Sequence, residues 1–312
     1  MQTGLENGDG MDELMDDAKP RSLPADRESR PVTVIGGGTL GRRIALMFCT
    51  RGGASRIYDL SAPVREAAVT FVRGTLPEVV ATIDGGTPGT VEAFDDLAAA
   101  VRGAWLVVEA VPERLALKKQ VFGDLDRLAD ADAILASNSS SYASRMFLDQ
   151  VTHPERVLNM HFYMPPVTNG VDLMSSGHTD RAILDLLLTE LPQFGVFPFE
   201  ARKQSTGFIY NRVWAAIKRE ALAVVAEGVS TPEEFDQMWM INLRTKIGPF
   251  RMMDRVGLDV ALDIENHYAA ENPHLPNSPR ELLQSYVDAG NLGVKSGGGF
   301  YDDYPSAAEP GS

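Results

Sequence analysis

A short apolar run that passes straight into Gly36-Gly37-Gly38-Thr39-Leu40-Gly41, and then into a helical stretch, restricts this chain more than any other feature. The order strand, G-x-G-x-x-G, helix suits few architectures. Gly36 permits a tight turn, Gly38 lets the backbone approach a bulky anionic group, and Gly41 lets helix and strand pack closely. The first helical N–H groups, those around Thr39 and Leu40, face such an anion with the positive end of the helix dipole. A glycine triplet alone is a weak signal, because flexible loops carry the same letters. Here residues 32–35 read as the strand before it, residues 40–50 as the helix after it, and Asp59 ends a second strand-like run. A carboxylate at that place accepts hydrogen bonds from ribose hydroxyls and opposes a 2′-phosphate. The pattern implies a dinucleotide, NAD rather than NADP.

The chain of 312 residues is long enough for two domains, each with its own core. From residue 31 to about 199, short β-branched runs alternate with helical stretches. Strands are expected at 32–35, 56–58, 105–108, 133–136, 157–160, 171–174 and 196–199; helices at 40–50, 62–82, 114–128 and 180–191. Alternation of this kind implies right-handed crossovers and a mostly parallel sheet, an α/β Rossmann-like domain over residues 31–203. After Thr206 the strand signals stop. Residues 208–227 place apolar groups three or four apart, and helical stretches follow at 232–242, 250–256, 259–270 and 280–289. An all-α C-terminal domain over 204–312 is expected. Its large apolar side chains, among them Phe208, Trp214, Met238, Trp239, Met252 and Met253, suggest a homodimer. Residues 1–30 are rich in Asp, Glu, Gly and Pro, lack apolar periodicity, and read as a disordered acidic tail.

Composition excludes several classes. The chain is 44% hydrophobic and 23% charged, ordinary for a globular protein, and no apolar run reaches the length of a membrane span. A net charge of -14 repels phosphate backbones, so no nucleic-acid partner is expected. The one cysteine, Cys49, falls in the apolar stretch IALMFC and reads as a core thiol. The acidic start has neither a signal-peptide core nor a basic presequence, which leaves a cytoplasmic location. The five histidines show no ligand spacing, so no metal is expected.

From Val32 onward the chain resembles the L-3-hydroxyacyl-CoA dehydrogenases. VTVIGGGTLG, VVEAVPERLALKKQVF, ASNSSS, NMHFYMPP and TGFIYNRV carry the resemblance, supported by GPFRMMDRVGLD and LGVKSGGGFYD. It implies an NAD-dependent enzyme that interconverts a 3-hydroxyacyl compound and its 3-keto form. His161 matches the family's general base, and Asp172, in VDLM, its carboxylate partner, where the family has Glu and one more intervening residue. Asp172 also reads as a solvated strand-edge residue. Ser140 and Asn211 match side chains that bind the substrate oxygen. Glu113 and Lys118 match residues beside the cofactor, as does Lys295 from the C-terminal segment.

Two departures bear on the substrate. Met164 stands where the family carries Asn, and residues 60–101 hold no lysine, with Thr75 and Thr82 at the places where the family uses Ser and Lys to hold the CoA nucleotide. Arg65 and Arg73 are the cations of that stretch, so weak use of short acyl-CoA substrates is expected. The same chemistry on a non-CoA hydroxy acid or biosynthetic intermediate, and a silent NAD-binding protein, are the alternatives.

Overall fold

A computed structural model describes residues 23–304, which divide after Gln204 into two compact units. In the first, β1 (Val32–Ile35), α1 (Thr39–Phe48), β2 (Ala54–Tyr58), α2 (Ala62–Val80), β3 (Thr90–Phe94), α3 (Leu97–Val101), β4 (Leu106–Glu109), α4 (Leu115–Leu128), β5 (Ile134–Ser137), β6 (Val157–Met164), β7 (Thr168–Ser175), α5 (Arg181–Glu190) and β8 (Phe197–Ala201) follow one another. The strands form one sheet in the order β3-β2-β1-β4-β5-β6-β7-β8. All neighbours are parallel except the β6–β7 hairpin. This is the expected Rossmann-like, mostly parallel architecture.

Two elements escape the sequence reading, β3 and α3. TVEAF lies at the sheet edge and buries only Val91, so it lacks the apolar run of a central strand, and α3 is a single turn and a half. A third difference matters more. β6 and β7 run past the expected limits and close into a hairpin, which places His161 inside a strand and not after one.

Strand periodicity sorts the core into two faces. Val34, Val108, Leu158, Met160, Val171 and Leu173 pack with Ile44, Val72, Ile183 and Leu187 of α1, α2 and α5. Ile35, Val107, Leu135 and Val157 point the other way, onto Phe122 and Leu125 of α4 and onto Phe147. That second cluster includes no residue of β7 or β8. The half of this face that belongs to the end of β6 and to β7 and β8 therefore lacks helical cover from its own unit among the described residues.

Residues 1–22 of the acidic stretch lie outside the described residues. Its last residues do not behave as a tail, which corrects the boundary at residue 30. The Arg30 guanidinium grips both oxygens of Asp132 at 2.7 and 2.9 Å and also donates to the carbonyls of Gly103 and Ala104. Arg27 pairs with Glu190 at 2.7 Å. Charge-assisted, forked contacts tie this segment down where apolar periodicity is absent.

The second unit consists of α6 (Tyr210–Ala226), α7 (Pro232–Leu243), α8 (Pro249–Val256), α9 (Leu258–Glu271) and α10 (Ser278–Asp288). Leu222, Phe250, Met253, Leu258, Leu283 and Phe300 form its core. Asp236 of α7 is buried and accepts from the Phe250 and Arg251 N–H groups at 2.9 Å, capping α8. Asp254 accepts from the Phe300 and Tyr301 N–H groups and from the Tyr304 hydroxyl, which anchors the chain after α10. Burial pushes the Asp254 carboxyl above the usual carboxylate range.

Candidate active site

The glycine loop between β1 and α1 has the shape its sequence demands. Gly36 has φ +103°, and a Cβ there would lie 2.7 Å from the Ala110 carbonyl oxygen. A Cβ on Gly41 would lie 1.8 Å from the Gly36 oxygen, so the first turn of α1 can pack on the loop only with glycine. Above Gly38, by contrast, a Cβ would meet nothing within 4 Å, which leaves open space over the loop. α1 has no side-chain cap and no acid in its first turn, so Thr39 and Leu40 lead the positive end of the helix. Asp59 accepts from the Gly37 N–H and the Ser61 N–H, each at 2.9 Å, which holds its carboxylate at the rim of the loop. An open cradle, bare helix amides and a fixed carboxylate fit a dinucleotide with free ribose hydroxyls.

Behind the loop lies a buried ionic network. Lys118 on α4 is enclosed, with its Nζ 2.8 Å from Glu109 and 3.2 Å from Glu113. Glu109, at the end of β4, also accepts from the Val111 N–H at 2.8 Å and from the Ser137 hydroxyl at 2.6 Å. Glu113 accepts from the Ser139 hydroxyl and from the Ser141 N–H. Glu113 and Lys118 were legible from their motif. Glu109 was not singled out, although a carboxylate that ends the apolar run LVVE is an unusual thing to bury without a partner. The network fixes the serine turn after β5. Ser140 sits exposed on that turn. Asn138 of the same turn accepts from the Phe162 N–H at 2.8 Å, which ties the turn to β6 next to His161.

His161 and Asp172 are direct cross-strand partners in the β6–β7 hairpin, and both are buried. His161 Nδ1 lies 3.4 Å from Asp172 Oδ2. The shortened hairpin thus still brings the carboxylate opposite the imidazole, a point the sequence left open. A further residue joins them. The Tyr163 hydroxyl donates to Asp172 Oδ2 at 2.5 Å, and its ring meets the imidazole edge-on with centroids 4.8 Å apart. Tyr163 was missed, though its place two residues after His161 on a strand puts both side chains on one face.

Two candidates belong to the helical unit. Asn211 lies on the first turn of α6. Lys295 lies in a short turn near the end of that unit, and its Nζ is 2.5 Å from both oxygens of Asp259. Lys295 holds the Asp259 carboxyl below the usual range. No group of three or more possible metal ligands occurs among the described residues, and none of their helices is long and apolar enough to cross a membrane.

Comparison with known proteins bears on the two units as wholes. Residues 31–204 match the family model "3-hydroxyacyl-CoA dehydrogenase, NAD binding domain", and residues 207–303 match "3-hydroxyacyl-CoA dehydrogenase, C-terminal domain". A 3-hydroxyacyl-CoA dehydrogenase-like protein of Cochliobolus heterostrophus is 45% identical over 157 residues, a match that spans 49% of this chain and only 32% of that protein. A probable 3-hydroxybutyryl-CoA dehydrogenase of Bacillus subtilis is 31% identical, over 88% of this chain and 98% of its own length. A solved diketoreductase, described as a catalyst acting on dicarbonyl compounds, is 30% identical with a TM-score of 0.75, over 88% of this chain and 98% of its own. With both domain models matched in order over nearly the whole described chain, this protein belongs to the 3-hydroxyacyl-CoA dehydrogenase family, NAD-dependent oxidoreductases that act on CH–OH groups.

Proposed function

We propose that the chain interconverts a 3-hydroxyacyl-CoA and its 3-keto form, with His161 as the base that takes the hydroxyl proton. The observation that carries this reading is the buried His161–Asp172 pair in the same sheet whose β1 runs into the glycine loop. NAD, when bound, accepts the hydride. The residues do the rest. With Nδ1 turned to Asp172, the nitrogen that exchanges the substrate proton is Nε2. Asp172 orients the ring and steadies its protonated form. Ser140 and Asn211 are assigned to the substrate oxygen, where polar groups offset developing charge. Glu113 and Lys118 are assigned to the cofactor side through the serine turn they brace; Asp59 is assigned to the ribose.

Cations outside residues 60–101 also support this reading. Arg65 is occupied, donating to the Asp59 and Leu60 carbonyls and pairing with Asp95. Arg42 and Arg43 of α1, outside that stretch, stack over Phe71 of α2 at 4.6 and 5.2 Å. Neither has an ion-pair partner among the described residues, and Arg43 donates to the Pro165 carbonyl in the hairpin that carries His161. We assign this pair to the phosphates of the substrate handle. Acetoacetyl-CoA and the phosphate-free N-acetylcysteamine thioester, each assayed with NADH, test the reading. Both should be reduced, and Arg42→Ala with Arg43→Ala should raise KM for the CoA substrate about tenfold or more, while the short thioester is unaffected. Turnover of neither thioester would sink the function itself.

A second reading is favoured by Phe197 and Phe199. They are exposed on β8, in register with Gly170 and Asp172, and so lie on the face of the catalytic pair. An apolar ledge beside the site suits a dicarbonyl compound without CoA. Faster turnover of such a compound than of either thioester would select it.

We further propose that the protein is cytoplasmic and that two copies associate through the helical unit. Phe208 and Met253 are buried and do not serve. α7 buries only Asp236 and exposes Met238, Ile241 and Leu243, an apolar surface suited to a second copy.

A further inference from the structure

We infer that Tyr163 is a positioning residue for the His161–Asp172 pair, its hydroxyl sharing the carboxylate oxygen that faces the imidazole and so setting how tightly Asp172 holds a protonated His161. The inference rests on the dehydrogenase reading for its effect on turnover.

The geometry comes from the hairpin. His161 and Tyr163 are two apart on β6 and Asp172 faces them from β7. The register shifts between Phe162 and Met164, which places Tyr163 in the irregular part of the hairpin. Gly170 completes the arrangement: a Cβ there would already stand 3.4 Å from the Tyr163 ring, so any larger side chain would crowd the ring's seat. Both donors converge on one atom. The Tyr163 hydroxyl is 2.5 Å from Asp172 Oδ2, and His161 Nδ1 is 3.4 Å from the same oxygen. Asp is one methylene shorter than Glu, so a carboxylate on this strand reaches the imidazole only loosely, and the phenol takes the closer position.

A short O–H···O⁻ bond draws carboxylate charge toward the phenol. Less of that charge then remains to stabilise the imidazolium. Charged groups on the neighbouring elements are engaged with other partners. β5 and its turn contribute the neutral Ser137, Asn138 and Ser140. Glu109 and Glu113 share the Lys118 ammonium, and the one net negative charge they leave is the same with or without the Tyr163 hydroxyl. Glu200 of β8 pairs with Arg181 of α5, on the opposite face. From α1, Arg43 is directed to the Pro165 carbonyl.

The test is Tyr163→Phe, which keeps the ring and removes the donor. In alcohol oxidation His161 acts as the neutral base, so kcat/KM rises with pH as the imidazole loses its proton. Without the phenol, Asp172 holds the imidazolium more tightly. The acid limb should therefore move to higher pH, by about half a unit to one unit. KM should stay the same, because Tyr163 is not assigned to the substrate, and the melting temperature should be nearly unchanged. A 3-fluorotyrosine at position 163, a stronger donor, should move the limb the other way. The His161 imidazole titration followed by NMR should show the same pair of shifts without any turnover. Opposite shifts in the two variants support the inference. An unmoved or lowered midpoint in Tyr163→Phe overturns it. Absence of turnover with every thioester would refute the dehydrogenase reading, while the NMR titration would still decide the role of Tyr163.

Discussion

His161→Ala is expected to lower kcat about a hundredfold or more while the Kd for NADH stays within about twofold. The glycine loop joins β1 to α1, whereas the imidazole lies on the β6–β7 hairpin. Its loss removes the proton acceptor and leaves the dinucleotide cradle untouched. Asp172→Asn should cost less, since the imidazole keeps its seat against Tyr163 but loses the charge that steadies its protonated form. Steady-state kinetics with NADH fluorescence titration separates the two quantities. A His161→Ala protein with near-normal kcat would remove His161 from the chemistry. A silent Asp172→Asn would show that the hairpin pairing seen here has no part in it.

Lys118→Met should be the most destabilising single change in the first unit. Lys118 and Glu109 are fully enclosed, and Glu109 keeps only the Val111 N–H and the Ser137 hydroxyl once the ammonium is gone. Removing one partner of a buried pair leaves a charge with neither water nor counter-ion, at a cost of about 3–5 kcal/mol. For a chain of this size that corresponds to a fall of roughly ten degrees in melting temperature. The effect should reach the site, because Glu113 loses the same ammonium while holding Ser139 and Ser141. Pairing the change with Glu109→Gln should restore much of the stability, since no fully buried charge is then left unpaired and Glu113 still reaches water. Thermal melts of the single and double variants check this. A single variant as stable as the parent would mean the network contributes packing and little else.

How much of this was legible beforehand follows from the range over which each signal acts. The glycine loop was readable because the positive φ of Gly36 and the close contact of Gly41 with the Gly36 oxygen act within six residues of chain. The helical unit was readable because periodicity and start signals such as Thr231-Pro232 are local, and Thr231 does cap α7 by accepting from the Glu234 N–H. Asn277 stands in the same place before α10, yet its side chain makes no such bond. β3 was hidden because an edge strand can be mostly polar. Tyr163 and Glu109 were hidden for a different reason. Each owes its importance to a partner nine residues on in the next element, Asp172 on β7 for one and Lys118 on α4 for the other, and a contact between elements leaves no mark on the periodicity within either. The ordered segment before β1 was misread on the same ground, since Arg30 is held by Asp132, a hundred and two residues away.

The central claim is hydride transfer between NAD and C3 of an acyl thioester at the His161 site. Reduction of acetoacetyl thioester with NADH carrying deuterium at C4 of the nicotinamide tests it most directly, with the product analysed by mass spectrometry and NMR. One deuterium at C3 of the product for each deuteride-donating NADH consumed is the expected result, with the transfer abolished or nearly so in His161→Ala. NADH bound tightly but never oxidised, or deuterium recovered at a position other than C3, would contradict it.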